Sequence, residues 1–125
     1  MRQAVHPPDA AKPSAPYSPA ILEGGFVFVS GQGPLDLKTG EYAKGDIQLE
    51  TKRVFENIKT ILSAAGSSME KVVKVNVYLR DINDFAAMNE VYKTYFTAPY
   101  PARTTIQAGA LPRGFAVEIE CVAKS

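Results

Sequence analysis

Apolar positions recur along this chain with two periods, the alternation of a strand and the three-to-four-residue spacing of a helix, in segments separated by glycine and proline. Ala20–Leu22 and Phe26–Gly31 flank Gly24-Gly25 and read as two strands of a tight hairpin. Phe26, Phe28 and Ser30 share one face of the second strand, and Val27 and Val29 the other, so both faces are apolar. Ser30-Gly31-Gln32-Gly33-Pro34 ends that strand, and Lys38-Thr39-Gly40 marks another turn. Asp46–Ala65 is the clearest helix. Asp46 is its N-cap, Gly66 its stop, and Ile47, Val54, Phe55, Ile58, Ile61, Leu62 and Ala65 form its apolar stripe. Lys52, Arg53, Glu56 and Lys59 fall on its solvated side.

Val72–Arg80 alternates, Val73, Val75, Val77 and Leu79 pointing one way and Lys74, Asn76, Tyr78 and Arg80 the other. Asn83-Asp84 then caps a second helix with Phe85, Met88, Val91, Tyr92, Tyr95 and Phe96 inward. After Pro99-Tyr100-Pro101, Arg103–Ala108 is a strand with Arg103, Thr105 and Gln107 on one face. Phe115–Ala123 closes the sheet, with Val117, Ile119, Cys121 and Ala123 opposite Glu118, Glu120 and Val122. Five prolines among residues 1–19 predict an irregular start, residues 1–14 being an irregular N-terminal segment of one domain spanning 1–125.

The order β-β-(β)-α-β-α-β-β is that of an α+β sandwich. Two helices cover only one face of a sheet of about six strands. Because the hairpin strand is apolar on both sides, the uncovered face is expected to meet another subunit.

Composition narrows the chemistry. A chain of 125 residues holds one domain, and 46% hydrophobic with 22% charged residues is ordinary globular composition. The net charge of +1 predicts no strong field toward nucleic acid or membrane. No apolar run is long enough to span a bilayer, and the N-terminal stretch lacks a signal-peptide core. The single Cys121 fits a reducing compartment, so a cytoplasmic protein is expected. One histidine, His6, in a proline-rich stretch excludes a serine triad and a zinc cluster. Cys121 lies within an apolar strand face without a histidine partner, which reads as packing and not as a nucleophile. The Gly31-x-Gly33 pair is followed by Pro34 and Leu35 and is not a dinucleotide loop.

What remains is Arg103 with Glu118 or Glu120. An arginine fork grips a planar carboxylate with two parallel hydrogen bonds, and a nearby carboxylate can handle a proton or a water. Taken alone, an arginine near a proline turn is more often a surface or interface ion pair, and two glutamates two residues apart on a strand are usually a solvated face. Tyr17, held between Pro16 and Ser18-Pro19, either aims its hydroxyl or covers a core edge. Asn89 abuts the aromatic stripe, where a backbone hydrogen bond is its default role.

Pro16-Tyr17-Ser18-Pro19-Ala20, Val29-Ser30-Gly31-Gln32, Asn57, Asp84-Phe85 through Asn89 and Tyr92, Pro101-Ala102-Arg103-Thr104-Thr105, Leu111-Pro112 and Val117-Glu118-Ile119-Glu120 occur in one order and spacing. Together they resemble the RidA (YjgF/YER057c/UK114) family, over about residues 15–123. The resemblance implies a chorismate-mutase-like fold, a homotrimer with clefts between subunits, and hydrolysis of 2-imino (2-enamino) acids such as 2-iminopropanoate and 2-iminobutanoate to 2-oxo acids and ammonia. It implies no metal and no organic cofactor. By motif, Arg103 is the carboxylate clamp and Glu118 the residue that holds or activates water, with Glu120 its rival. Tyr17, Ser30, Gly31, Asn89 and Thr105 are the implied substrate-binding positions. Thr105 stands where many members have cysteine, and Gly33 replaces a bulkier residue of some members, which predicts a wider pocket. Two other readings stay open: a non-catalytic module that binds 2-oxo acids through the same arginine, and an RNA-acting protein.

Overall fold

The computed structural model describes all 125 residues. Its elements are β1 (Gln3–Val5), β2 (Ala20–Glu23), β3 (Phe26–Gln32), α1 (Ile47–Ala64), β4 (Val72–Leu79), α2 (Phe85–Tyr95), β5 (Ala102–Gln107) and β6 (Val117–Lys124). They form one six-stranded mixed sheet in the order β1-β2-β3-β6-β4-β5. All neighbours are antiparallel except β4 and β5, which run parallel because α2 carries the chain back between them. No helix is long and apolar enough to cross a membrane.

The two helices lie on one face. Val54, Phe55, Ile58, Ile61 and Leu62 of α1 are buried with Val27, Val29, Val75, Val77, Ile119 and Cys121 of the sheet. The rings of Tyr92, Tyr95 and Phe96 pack around Phe55 and lock α2 to α1. Asp46 caps α1 as expected, accepting a hydrogen bond from Leu49 N at 2.8 Å. The register places Ile21, Phe26, Phe28 and Val122 together on the face without helices, with Ile106 on the same face at the far edge. Phe28 there is 45% exposed and Ile106 47%.

Three expectations about the elements are corrected and one is refined. Residues 1–14 are not wholly irregular: before the first proline, Gln3–Val5 pairs with Ala20–Leu22 and satisfies the sheet edge, with Val5 buried. The anticipated strand in the loop after β3 is reduced to a single bridge between Leu35 and Tyr42. In β4 the register slips between Val72 and Lys74, a bulge that turns Val72 into the core and leaves Val73 42% exposed. Asp84 holds the N-cap position of the second helix as expected, but its side chain makes no capping hydrogen bond. Asp81 starts a short 3₁₀ turn there, accepting from Asn83 N at 2.9 Å, and α2 continues from it.

Candidate functional site

Arg103 stands at the start of β5, opposite Val75, and so on the helix-bearing face. Because β5 is the sheet's edge, the side chain reaches α2 instead of the core centre. Its Nη1 donates to Asn89 Oδ1 at 2.6 Å, and its Cζ lies 4.6 Å from the centre of the Tyr92 ring and 5.3 Å from that of Phe85. Phe85, Asn89 and Tyr92 follow at helical spacing, so a single stripe of α2 builds this cradle. Neither ion pair of the chain involves Arg103. One of its five N–H donors is engaged by a neutral amide oxygen, leaving the fork free to grip an anion. Thr105 lies two residues along the same strand face, and its hydroxyl and that of Tyr92 are buried without hydrogen-bond partners.

The second group of candidates lies elsewhere. A cavity of about 330 Å³ is lined by Tyr17, Gly31, Gly33, Arg113, Phe115 and Glu118 among others. A Cβ at Gly31 would fall 2.5 Å from Glu118 Oε2, so glycine there lets that carboxylate lie close against β3. Ser30 does not line the cavity. Its hydroxyl donates to Ser18 O at 2.6 Å and ties the Tyr17 segment to β3.

The geometry separates the two glutamates. Glu120 accepts hydrogen bonds from Tyr78 Oη and from Asn76 Nδ2, and the first of these pushes the phenol up to about 12. Glu118 borders the cavity, and no protein donor binds its carboxylate. Burial, with the neighbouring Glu120, holds the Glu118 carboxyl above its ordinary value of 4.5. A carboxyl raised on folding stabilises the chain only below its unfolded pKa of about 4.3, and that contribution is lost as pH rises through the folded value. Glu118→Gln is therefore expected to melt higher than wild type at pH 7 and at the same temperature near pH 3. Paired melts at the two pH values check this; equal melting at pH 7 refutes the raised carboxyl. A carboxyl that carries such a penalty beside a cavity is a functional candidate.

The sheet keeps these groups apart. Arg103 and Thr105 share the face of Val75, Val77 and Ile119, whereas Glu118 and Glu120 face the other side with Tyr78 and Asn76. Asn89 belongs with Arg103; Tyr17, Gly31 and Glu118 belong with the cavity. No group of three or more His, Cys, Asp and Glu side chains gathers in the geometry of a metal site. Cys121 is buried on the helix-bearing face, where burial pushes its thiol up to about 12 and keeps it protonated.

The expected widening at Gly33 is absent. A Cβ at this position would collide with the Phe115 ring, within contact of Cε2 and 2.6 Å from Cδ2, so the ring already fills that space. Two residues escaped the sequence reading. Phe115 is one. The other is Glu50, 1% exposed, which accepts from Tyr42 Oη at 2.7 Å, Gly45 N at 3.3 Å and Ala116 N at 2.9 Å. Its signal lay in the helix spacing, since Ile47, Glu50 and Val54 fall on one stripe.

Comparison with known proteins agrees with this architecture. The family model described as Endoribonuclease L-PSP matches residues 8–125. A RutC family protein of Pyrococcus horikoshii is 51% identical over 98% of this chain and 98% of its own length. A protein of Dermatophagoides farinae named 2-iminobutanoate/2-iminopropanoate deaminase is 40% identical over 97% of this chain and 94% of its own. The crystal structure of Escherichia coli TdcF with bound serine superposes with a TM-score of 0.90 at 37% identity, covering 98% of both chains. With a family model matched over residues 8–125, relatives aligned over nearly their whole length and a shared fold, the chain belongs to the endoribonuclease L-PSP family, the RidA family its motifs resemble.

Proposed function

We propose that this protein hydrolyses small 2-imino acids, such as 2-iminopropanoate and 2-iminobutanoate, to 2-oxo acids and ammonia at a site shared between protomers. The observation that carries this reading is the Arg103 guanidinium, stacked on Tyr92, held by one amide oxygen and paired with no acid. It suits the carboxylate of a small organic acid. The deaminase name of the mite relative and the serine bound in TdcF, itself a small acid with nitrogen on C2, support the same ligand chemistry.

In this mechanism Arg103 binds the substrate carboxylate and fixes C2, which supplies orientation. Glu118 of a neighbouring copy, raised toward the range of a useful base, positions the attacking water. The protonated imine carbon accepts that water while one of its protons passes by way of Glu118 to nitrogen. The carbinolamine then expels ammonia as its hydroxyl gives its proton to Glu118, leaving the 2-oxo acid. Free imines hydrolyse unaided, so the protein supplies only a small part of the ~8–23 kcal/mol typical of enzymes. That fits so sparse a set of groups.

The need for a neighbour follows from the sheet, which separates Arg103 from Glu118 in one chain. The exposed Phe26, Phe28 and Ile106 on the helix-free face suit burial against other copies, and a homotrimer is the assembly that the family resemblance implies. Phe28→Asp is expected to dissociate that assembly, shifting sedimentation to the monomer and abolishing hydrolysis together. A trimer that persists with the aspartate in place would overturn this interface.

The decisive test generates 2-iminobutanoate in situ from threonine with a dehydratase and traps it with semicarbazide. Protein at catalytic concentration should suppress the adduct. Saturable binding of 2-oxobutanoate with no faster ammonia release would instead make the protein a non-catalytic module. The description of the family model favours RNA as a second substrate class, and RNA cleavage with affinity falling steeply in salt would decide for it. The net charge of +1 weighs against it.

A further inference from the structure

The wall of the cavity contains a matched pair. Gly33 is buried and has no side chain, and the ring of Phe115, 4% exposed, occupies the space in front of it. Any side chain at 33 would overlap Phe115 Cδ2, Cε2 and Cζ. The ring is also braced from behind: Tyr42 meets it edge-on at 4.9 Å and 75°, and the Tyr42 hydroxyl is anchored on Glu50. Glu50 in turn accepts from Ala116 N, the residue after the phenylalanine. Asn57 Nδ2 holds the other side of the pair, donating to Leu35 O at 2.7 Å and Gly33 O at 3.4 Å. Neither wall can retreat by a rotamer change, because every support is itself buried or hydrogen-bonded.

This rigid apolar surface belongs to the same cavity as Glu118 and Gly31. We propose that Gly33 and Phe115 together limit the side chain of the substrate, so that the site takes 2-imino and 2-oxo acids with short aliphatic groups and rejects branched or aromatic ones. The inference rests on the proposed function for its ligand class and adds the residue pair that selects within that class. A single methylene in an apolar pocket discriminates by about 10–200-fold, and a ring is a far larger intrusion. Removing the ring reverses the selection: an apolar void of about 150 Å³ stays dry and takes up an aromatic group.

The test is the affinity ratio for two 2-oxo acids, 2-oxobutanoate and 2-oxo-3-phenylpropanoate, measured calorimetrically on the intact assembly. Wild type should favour the short acid. Phe115→Ala should move the ratio toward the aromatic acid by about tenfold or more, while Arg103→Lys weakens both acids and leaves the ratio alone. If Phe115→Ala does not fold, Phe115→Leu carries the test with a smaller shift in the same direction, and Gly33→Ala should lower the melting temperature unless combined with Phe115→Leu. An unchanged ratio in a folded variant that still binds the short acid overturns the specificity pair and leaves the proposed function standing. Absence of binding for both acids in wild type overturns both. Binding without imine hydrolysis removes only the catalytic reading, and the ratio still decides the pair.

Discussion

Arg103→Lys is expected to lose most of the proposed suppression of imine trapping, with kcat/KM falling about 10–100-fold and the fold intact. The size follows from what lysine cannot do. A charge-assisted hydrogen bond contributes about 1.5–3 kcal/mol, and an ammonium makes one such contact where the fork makes two in parallel. Lysine keeps a cation over the Tyr92 ring, so the cradle of Phe85, Asn89 and Tyr92 loses little packing. Far-UV circular dichroism and sedimentation of the variant should therefore match wild type. Arg103→Ala removes the charge as well and should be weaker again. An Arg103→Lys protein within threefold of wild-type activity would exclude the guanidinium as the carboxylate clamp, and with it the observation on which the proposed activity rests.

Glu50→Ala destabilises the protein by about 4 kcal/mol, a large share of the roughly 5–15 kcal/mol of a typical domain. The three donors that converge on this carboxylate come from Tyr42, Gly45 and Ala116, which lie in different segments of the fold. Truncation leaves the buried Ala116 N–H without a partner, at about 1–3 kcal/mol, removes the part-buried bonds of Tyr42 and Gly45 at less each, and opens a cavity. Glu50→Gln keeps the volume but turns one NH₂ group toward donors, so it should recover only part of the loss. Urea denaturation, read as a shift in midpoint at constant slope, measures both. A change below 1 kcal/mol would mean that water replaces the carboxylate and that the brace behind Phe115 is not what holds the cavity wall.

These two residues differ in how openly the chain announces them. Arg103 stands out locally, one cation placed after a proline turn at a strand mouth. Glu50 is written into the spacing of α1, but a glutamate among Lys52, Arg53 and Glu56 looks like one more solvated charge. Only the donors brought in from Tyr42, Gly45 and Ala116 make its burial tolerable. Phe115 was legible as apolar and as part of the last strand's approach. Its contact with Gly33, 82 residues earlier in the sequence (115 − 33), was not. The same distance explains why the glycine suggested an open pocket where the fold supplies a closed one.

Period and punctuation in the sequence determined the two helices, their apolar stripes, the Gly24-Gly25 hairpin and the double-faced apolar strand, because each depends on residues within a few positions of one another. Strand order and register determined the rest. Inserting β6 between β3 and β4 puts Glu118 beside Gly31, and pairing β5 parallel to β4 at the edge sends Arg103 to the opposite face against α2. Pairings between distant strands are selected by the burial of the whole sheet and leave no periodic mark in the chain. Tertiary structure alone therefore decided which glutamate is free, what fills the cavity wall, and that the arginine and the free glutamate lie on opposite faces of the sheet within one chain.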